Sequence, residues 1–169
     1  MIKICGVILL LFGATWAGLS ASRKLDMRVK TLCSVLECLE LFEWELATNI
    51  PPTNQLFEYV SKRVAEPASL FLDACLQSMQ ANEYIMSEVW ESSARRKLMA
   101  LNYDDFEVLL PLGAILGRYD ADSQKRSIMS AHRRLTDNLN NAIDEKKRLG
   151  RLYSTLGVTA GVFLVIIFL

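Results

Sequence analysis

The single histidine among 169 residues, His132, is the first place to look for acid–base or nucleophilic chemistry. It falls on a stripe with Ile128, Leu135 and Leu139, three or four residues apart, and that helical period predicts a histidine satisfied inside a core. A Ser-His-Asp or Cys-His device would rest on this one residue, with no orienting signature beside it. The run Asp104-Asp105-x-Glu107 carries the oxygen ligands a divalent cation prefers. Acidic residues also favour the positive end of a helix, so a solvated acidic first turn is expected there. Of the eight glycines none builds a phosphate loop, because Gly113 and Gly117 have the wrong spacing and no Gly-Lys-Ser/Thr follows. No catalytic residue, cofactor or metal is assigned, and the chain reads as a non-enzyme. The enzymatic alternative is a membrane-bound metal-dependent hydrolase using Glu43, Glu45 and the 104–107 carboxylates.

Two features point to contacts rather than catalysis. Glu43 projects within about 20° of the directions of Leu32 and Leu36 on a helix, so its carboxylate is expected inside an apolar arc. A charge there must be paired, hydrogen-bonded or protonated; an intrabundle partner and a contact with another protein are both open. Arg95-Arg96-Lys97 is the most concentrated cluster of exposed charge, read either as a partner contact or as a solvated helix end near a negative dipole. Nineteen basic residues balance nineteen acidic ones, which leaves no net positive footprint for nucleic acid. The four cysteines, at 5, 33, 38 and 75, suggest neither a zinc site nor a disulfide framework and are expected to be packing thiols.

The elements that must position these residues are helices. Apolar positions recur every three or four residues almost throughout, and no segment alternates as a strand would. Leu25, Val29, Leu32, Leu36, Leu39, Leu46 and Ile50 mark a long first helix that Pro51-Pro52 must end. Shorter helices are expected around 54–64, 67–80, 85–98 and 103–116. Pro67 suits a first turn, whereas Pro111 should kink or interrupt the last of these. Gly117 should end that helix and Asp120 cap the next, whose stripe runs from Ile128 to Leu152.

Both ends of the chain are apolar. Residues 4–19 carry no charge and approach the roughly 20 residues that cross a hydrocarbon core; residues 156–169 are charge-free but shorter, with Tyr153 placed to reach the interface. Arg23, Lys24, Arg28 and Lys30 follow the first segment and Lys146, Lys147, Arg148 and Arg151 precede the second. Positive flanks stay in the cytoplasm. The expected organisation is therefore a transmembrane helix over 1–20, a cytoplasmic all-α bundle over 21–155 and a second transmembrane helix over 156–169. A cleaved signal peptide is the alternative for the first segment. Gly157-x-x-x-Gly161 and Ala14-x-x-x-Gly18 leave flat strips where spans can approach.

An ordered set of residues over essentially the whole chain resembles the stage III sporulation protein AB family. It comprises Glu43-x-Glu45-Leu46, Val60-x-Lys62-Arg63, Trp90, Leu112-Gly113-x-x-Leu116-Gly117, Asp120, Gln124, Tyr153, Leu156-Gly157 and Gly161. The sequence departs from that pattern at Pro111, at Asn54, in Pro51-Pro52 and in its near-neutral charge. The resemblance implies a six-helix bundle similar to the cytoplasmic domain of type II secretion and type IV pilus platform proteins. It also implies a place in the cell membrane, within the complex that joins mother cell and forespore on the mother-cell side of the outer forespore membrane. The partners it implies are the stage III sporulation ATPase, protein AA, and other membrane components of that complex, with homo-oligomerisation also open. A secretion or pilus platform in a non-sporulating organism is the alternative.

Overall fold

The computed structural model describes the backbone of residues 2–48, 51–80, 85–116 and 120–168, and side chains over 23–48, 51–80, 85–116, 120 and 122–149. Among these residues every regular element is a helix: α1 (Ile2–Thr48), α2 (Thr53–Ser61), α3 (Ala68–Gln80), α4 (Met86–Lys97), α5 (Tyr103–Leu109), α6 (Leu112–Ile115) and α7 (Ala121–Phe168). The expected helix over 103–116 is two pieces, α5 and α6. Pro111 has no amide to continue the ladder, and it sits at the N-cap of α6 with φ −59°.

Two compact units divide the chain, one of Arg28–Asn140 and one of Met1–Met27 with Asn141–Leu169. In the second unit Lys146 Nζ lies 2.6 Å from Asp26 Oδ1. The expected spans fall on segments whose side chains lie outside the described residues. Among the described residues no helix is long and apolar enough to cross a membrane.

The Arg28–Asn140 unit is built around aromatic rings. Phe42 of α1 stacks on Phe57 of α2, with centroids 5.5 Å apart, and Phe71 of α3 meets Trp90 of α4 edge-on at 4.6 Å. All four rings are buried, and such pairs add to the transfer energy of the rings themselves. Leu32, Leu39, Ile128 and Leu135 carry the core along α1 and α7. Around it α2 packs on α3, α3 on α4 and α4 on α6. Thr53 at the start of α2 donates to the Leu116 carbonyl, 3.1 Å away, tying that turn to the end of α6.

Candidate functional site

The charged cluster Arg95-Arg96-Lys97 forms the exposed last turn of α4, where cations complement the unsatisfied carbonyls. Its members are not equivalent. Arg95 already has partners on the surface: a guanidinium nitrogen lies 2.8 Å from Glu91 Oε1 one turn back, and its Cζ sits 5.5 Å from the centroid of Phe106. Met99 and Tyr103 follow at once in the chain and are the most exposed large apolar side chains among the described residues, at 79% and 78%. Leu98, just before Met99, and Leu101, between the two, are buried and anchor the turn. Cationic and apolar side chains are thus exposed in succession along this stretch of chain, a mixture suited to protein contact. Nothing in the helical period singles out Met99, which lies between α4 and α5, or Tyr103, which is the first residue of α5.

Glu43 is half-buried, at the rim of the core, and the carboxylate that α1 buries is Glu45. The apolar arc of α1 includes Val35, Cys38 and Phe42 as well as the leucines. Its centre is therefore rotated by roughly 60° from the leucine stripe, away from Glu43. His132 is likewise not a core residue. It is half-buried, with Nε2 3.3 Å from Glu40 Oε1 across α1 and α7.

The acidic run at 104–107 divides in the same way. Asp104 and Glu107 are exposed, but Asp105 is fully buried. Asp105 completes a capping box with Asn102: its amide donates to Asn102 Oδ1, and its Oδ2 accepts from the Asn102 amide, both at 3.0 Å. The same carboxylate accepts from Arg28 of α1 and from Asn138 Nδ2 of α7, the latter at 2.9 Å. These bonds occupy it with protein donors, and a first-turn cation site is not what Asp105 provides. The spacing Asn102-x-x-Asp105 signals the cap; nothing local signals Arg28. Among the described residues no three His, Cys, Asp or Glu side chains gather to hold a metal.

Most of the ordered family-like set is architecture. Leu46, Val60, Trp90, Leu112, Leu116 and Gln124 are buried. Trp90 Nε1 donates to the Leu109 carbonyl at 2.9 Å, across the turn of α5 that precedes Pro111. A Cβ built on Gly113 would stand 2.5 Å from Trp90 Cβ, so the glycine lets α6 press against α4. Lys62 and Arg63 lie on the surface, the first paired with Glu58 at 2.7 Å and the second over the Tyr59 ring. The Lys62 ammonium, by hydrogen bond and charge, holds the Glu58 carboxyl below its ordinary value. Asp120 accepts from the Ser123 hydroxyl and amide at the start of α7, which lowers its pKa in turn. Gly117 lies outside the described residues, and Gly157 and Gly161 lie beyond the residues whose side chains are described.

The sequence model described as stage III sporulation protein AB matches residues 3–169. A curated relative, stage III sporulation protein AB of Bacillus subtilis (strain 168), is 22% identical over 169 residues, covering 99% of each chain. A solved structure of a stage III sporulation protein AB superposes with a TM-score of 0.63 at 22% identity, covering 72% of this chain and 98% of that one, and supports the helical fold. These relatives carry the name of a sporulation protein rather than of an enzyme. With its family model matched over nearly its entire length, the chain belongs to the stage III sporulation protein AB family.

Proposed function

We propose that this protein is a non-enzymatic, membrane-anchored platform of the stage III sporulation complex, and that its helical bundle docks the cytoplasmic ATPase of that complex, protein AA. The observation that carries the reading is family membership over 3–169. The charge-free ends and their basic inner flanks support two spans with the bundle on the cytoplasmic side. A protein with no nucleotide loop acts in such a machine through what it holds. The end of α4 and the turn after it offer the cationic and apolar groups such a contact needs: Arg96 and Lys97, then Met99 and Tyr103, all exposed. Topology tests the membrane part of the reading. A reporter active only outside the cytoplasm is expected to be active after Leu169 and silent when inserted near Gln80. The reverse pattern contradicts the two-span arrangement.

A further inference from the structure

Between α5, α6 and α7 runs a groove of about 300 Å³ whose floor is Val108 and Leu112, with Ile115 at one side. The α7 wall carries Ser127 and Ser130 and is flanked by Arg126 and Arg134, both exposed. Arg126 donates to the Ser123 hydroxyl at 3.0 Å and lies within electrostatic reach of Asp120. Neither guanidinium has a carboxylate at ion-pair distance among the described residues. An apolar floor flanked by two guanidiniums, neither closed by a salt bridge, calls for a complementary shape: two carboxylates with an apolar side chain between them.

The spacing chooses among anions. Arg126 and Arg134 are eight residues apart on one helix face, about 12 Å along the axis. An anion that meets both arginines without drawing their side chains together must span that distance. The exposed Glu107 on the facing wall repels any anion and so keeps acidic groups to the arginine wall. In an extended peptide the side chains of residues one, three and five share a face, and the outer two lie about 13 Å apart. We propose that this groove docks an extended acidic segment of a partner protein, in the pattern acid-x-apolar-x-acid, with the apolar side chain on Leu112. The surface is distinct from the end of α4 and does not depend on the docking reading above.

The test uses the full-length protein in detergent micelles and a fluorescein-labelled Gly-Ser peptide carrying Glu, Leu and Glu at positions one, three and five. Saturable binding by fluorescence anisotropy is expected, weakened about tenfold or more by Arg126→Glu with Arg134→Glu. Asparagine in place of the peptide leucine should also weaken it, and Arg96→Glu with Lys97→Glu should leave it unchanged. Arg126→Gln with Arg134→Gln serves if the reversed pair fails to fold by circular dichroism. Absence of saturable binding to the folded parent overturns the proposal, as does binding indifferent to both arginines. Displacement of the peptide by inorganic phosphate or by phosphatidylglycerol vesicles at matched charge would assign the groove to simple anions or lipid and equally overturn it.

Discussion

Arg28 of α1 grips Asp105 of α5 with two parallel hydrogen bonds, Nε to Oδ2 at 2.9 Å and Nη2 to Oδ1 at 3.1 Å, across 77 residues of sequence. Asp105 is wholly shielded from water and Arg28 nearly so, at 13% side-chain exposure. Asn138 of α7 shares the carboxylate, so one buried charge ties three helices together. Two charges removed from water are costly, but breaking such a pair by removing one partner costs more. Asp105→Ala should lower the stability of the full-length protein in detergent by about 3–5 kcal/mol, read as a large drop in the thermal midpoint. Arg28→Met should cost a comparable amount. A variant at either position that melts with the parent would show that the pair does not hold the bundle.

Gly113 and Trp90 make the second test. The atom a new Cβ would strike is Trp90 Cβ, 2.5 Å away, and it sits next to the backbone where no rotamer change relieves the clash. Alanine would gain about 1 kcal/mol of helix propensity. The overpacking it forces costs about 1–3 kcal/mol, and the Trp90 bond to Leu109 would be strained with it. Gly113→Ala should therefore melt at a lower temperature and shift tryptophan emission to the red. Equal or greater stability would mean that α6 is free to move off α4.

The thiols give a pH-dependent signature. Burial pushes Cys75 up to about 12 from an ordinary 9.0, and burial, helped by the neighbouring Cys75, pushes Cys38 up as well. Cys33 is exposed. Reactivity follows the thiolate, so iodoacetamide at pH 8 should modify Cys33 in the native protein and reach Cys38 and Cys75 only on unfolding. Between about 9 and 12 the native state binds more protons than the unfolded chain, so stability should fall as pH rises through that window. Cys75→Ala should flatten this alkaline loss. Rapid native-state labelling of Cys75 would contradict its burial.

Sequence patterning reached the helices more surely than it reached the polar contacts. Pro51-Pro52 and Pro111 mark breaks because a missing amide is a local property, and α1 is described as far as Thr48, ahead of the first pair. The buried face of α1 was harder to read, since a leucine stripe alone points toward Glu43 while Val35 and Phe42 turn burial toward Glu45. Asp105 looks like its exposed neighbours Asp104 and Glu107 along the chain. Only tertiary structure, bringing Arg28 and Asn138 to it, sets it apart. His132 follows the same logic: its position on the stripe is real, yet it sits at the edge where α7 meets α1 and faces Glu40. The exposed Met99 belongs to the turn after α4, where helical periodicity has nothing to say, and Tyr103 is the exposed first residue of α5.

The platform reading is tested most directly by a complex. Full-length protein in detergent or lipid, mixed with the folded cognate stage III sporulation ATPase, should co-elute with it on size exclusion. Arg96→Glu with Lys97→Glu should weaken that complex by about tenfold or more while leaving the thermal midpoint unchanged. Arg95 is left in place, because it already pairs with Glu91 and lies near the Phe106 ring. A folded parent protein that never binds the folded ATPase would contradict the central claim.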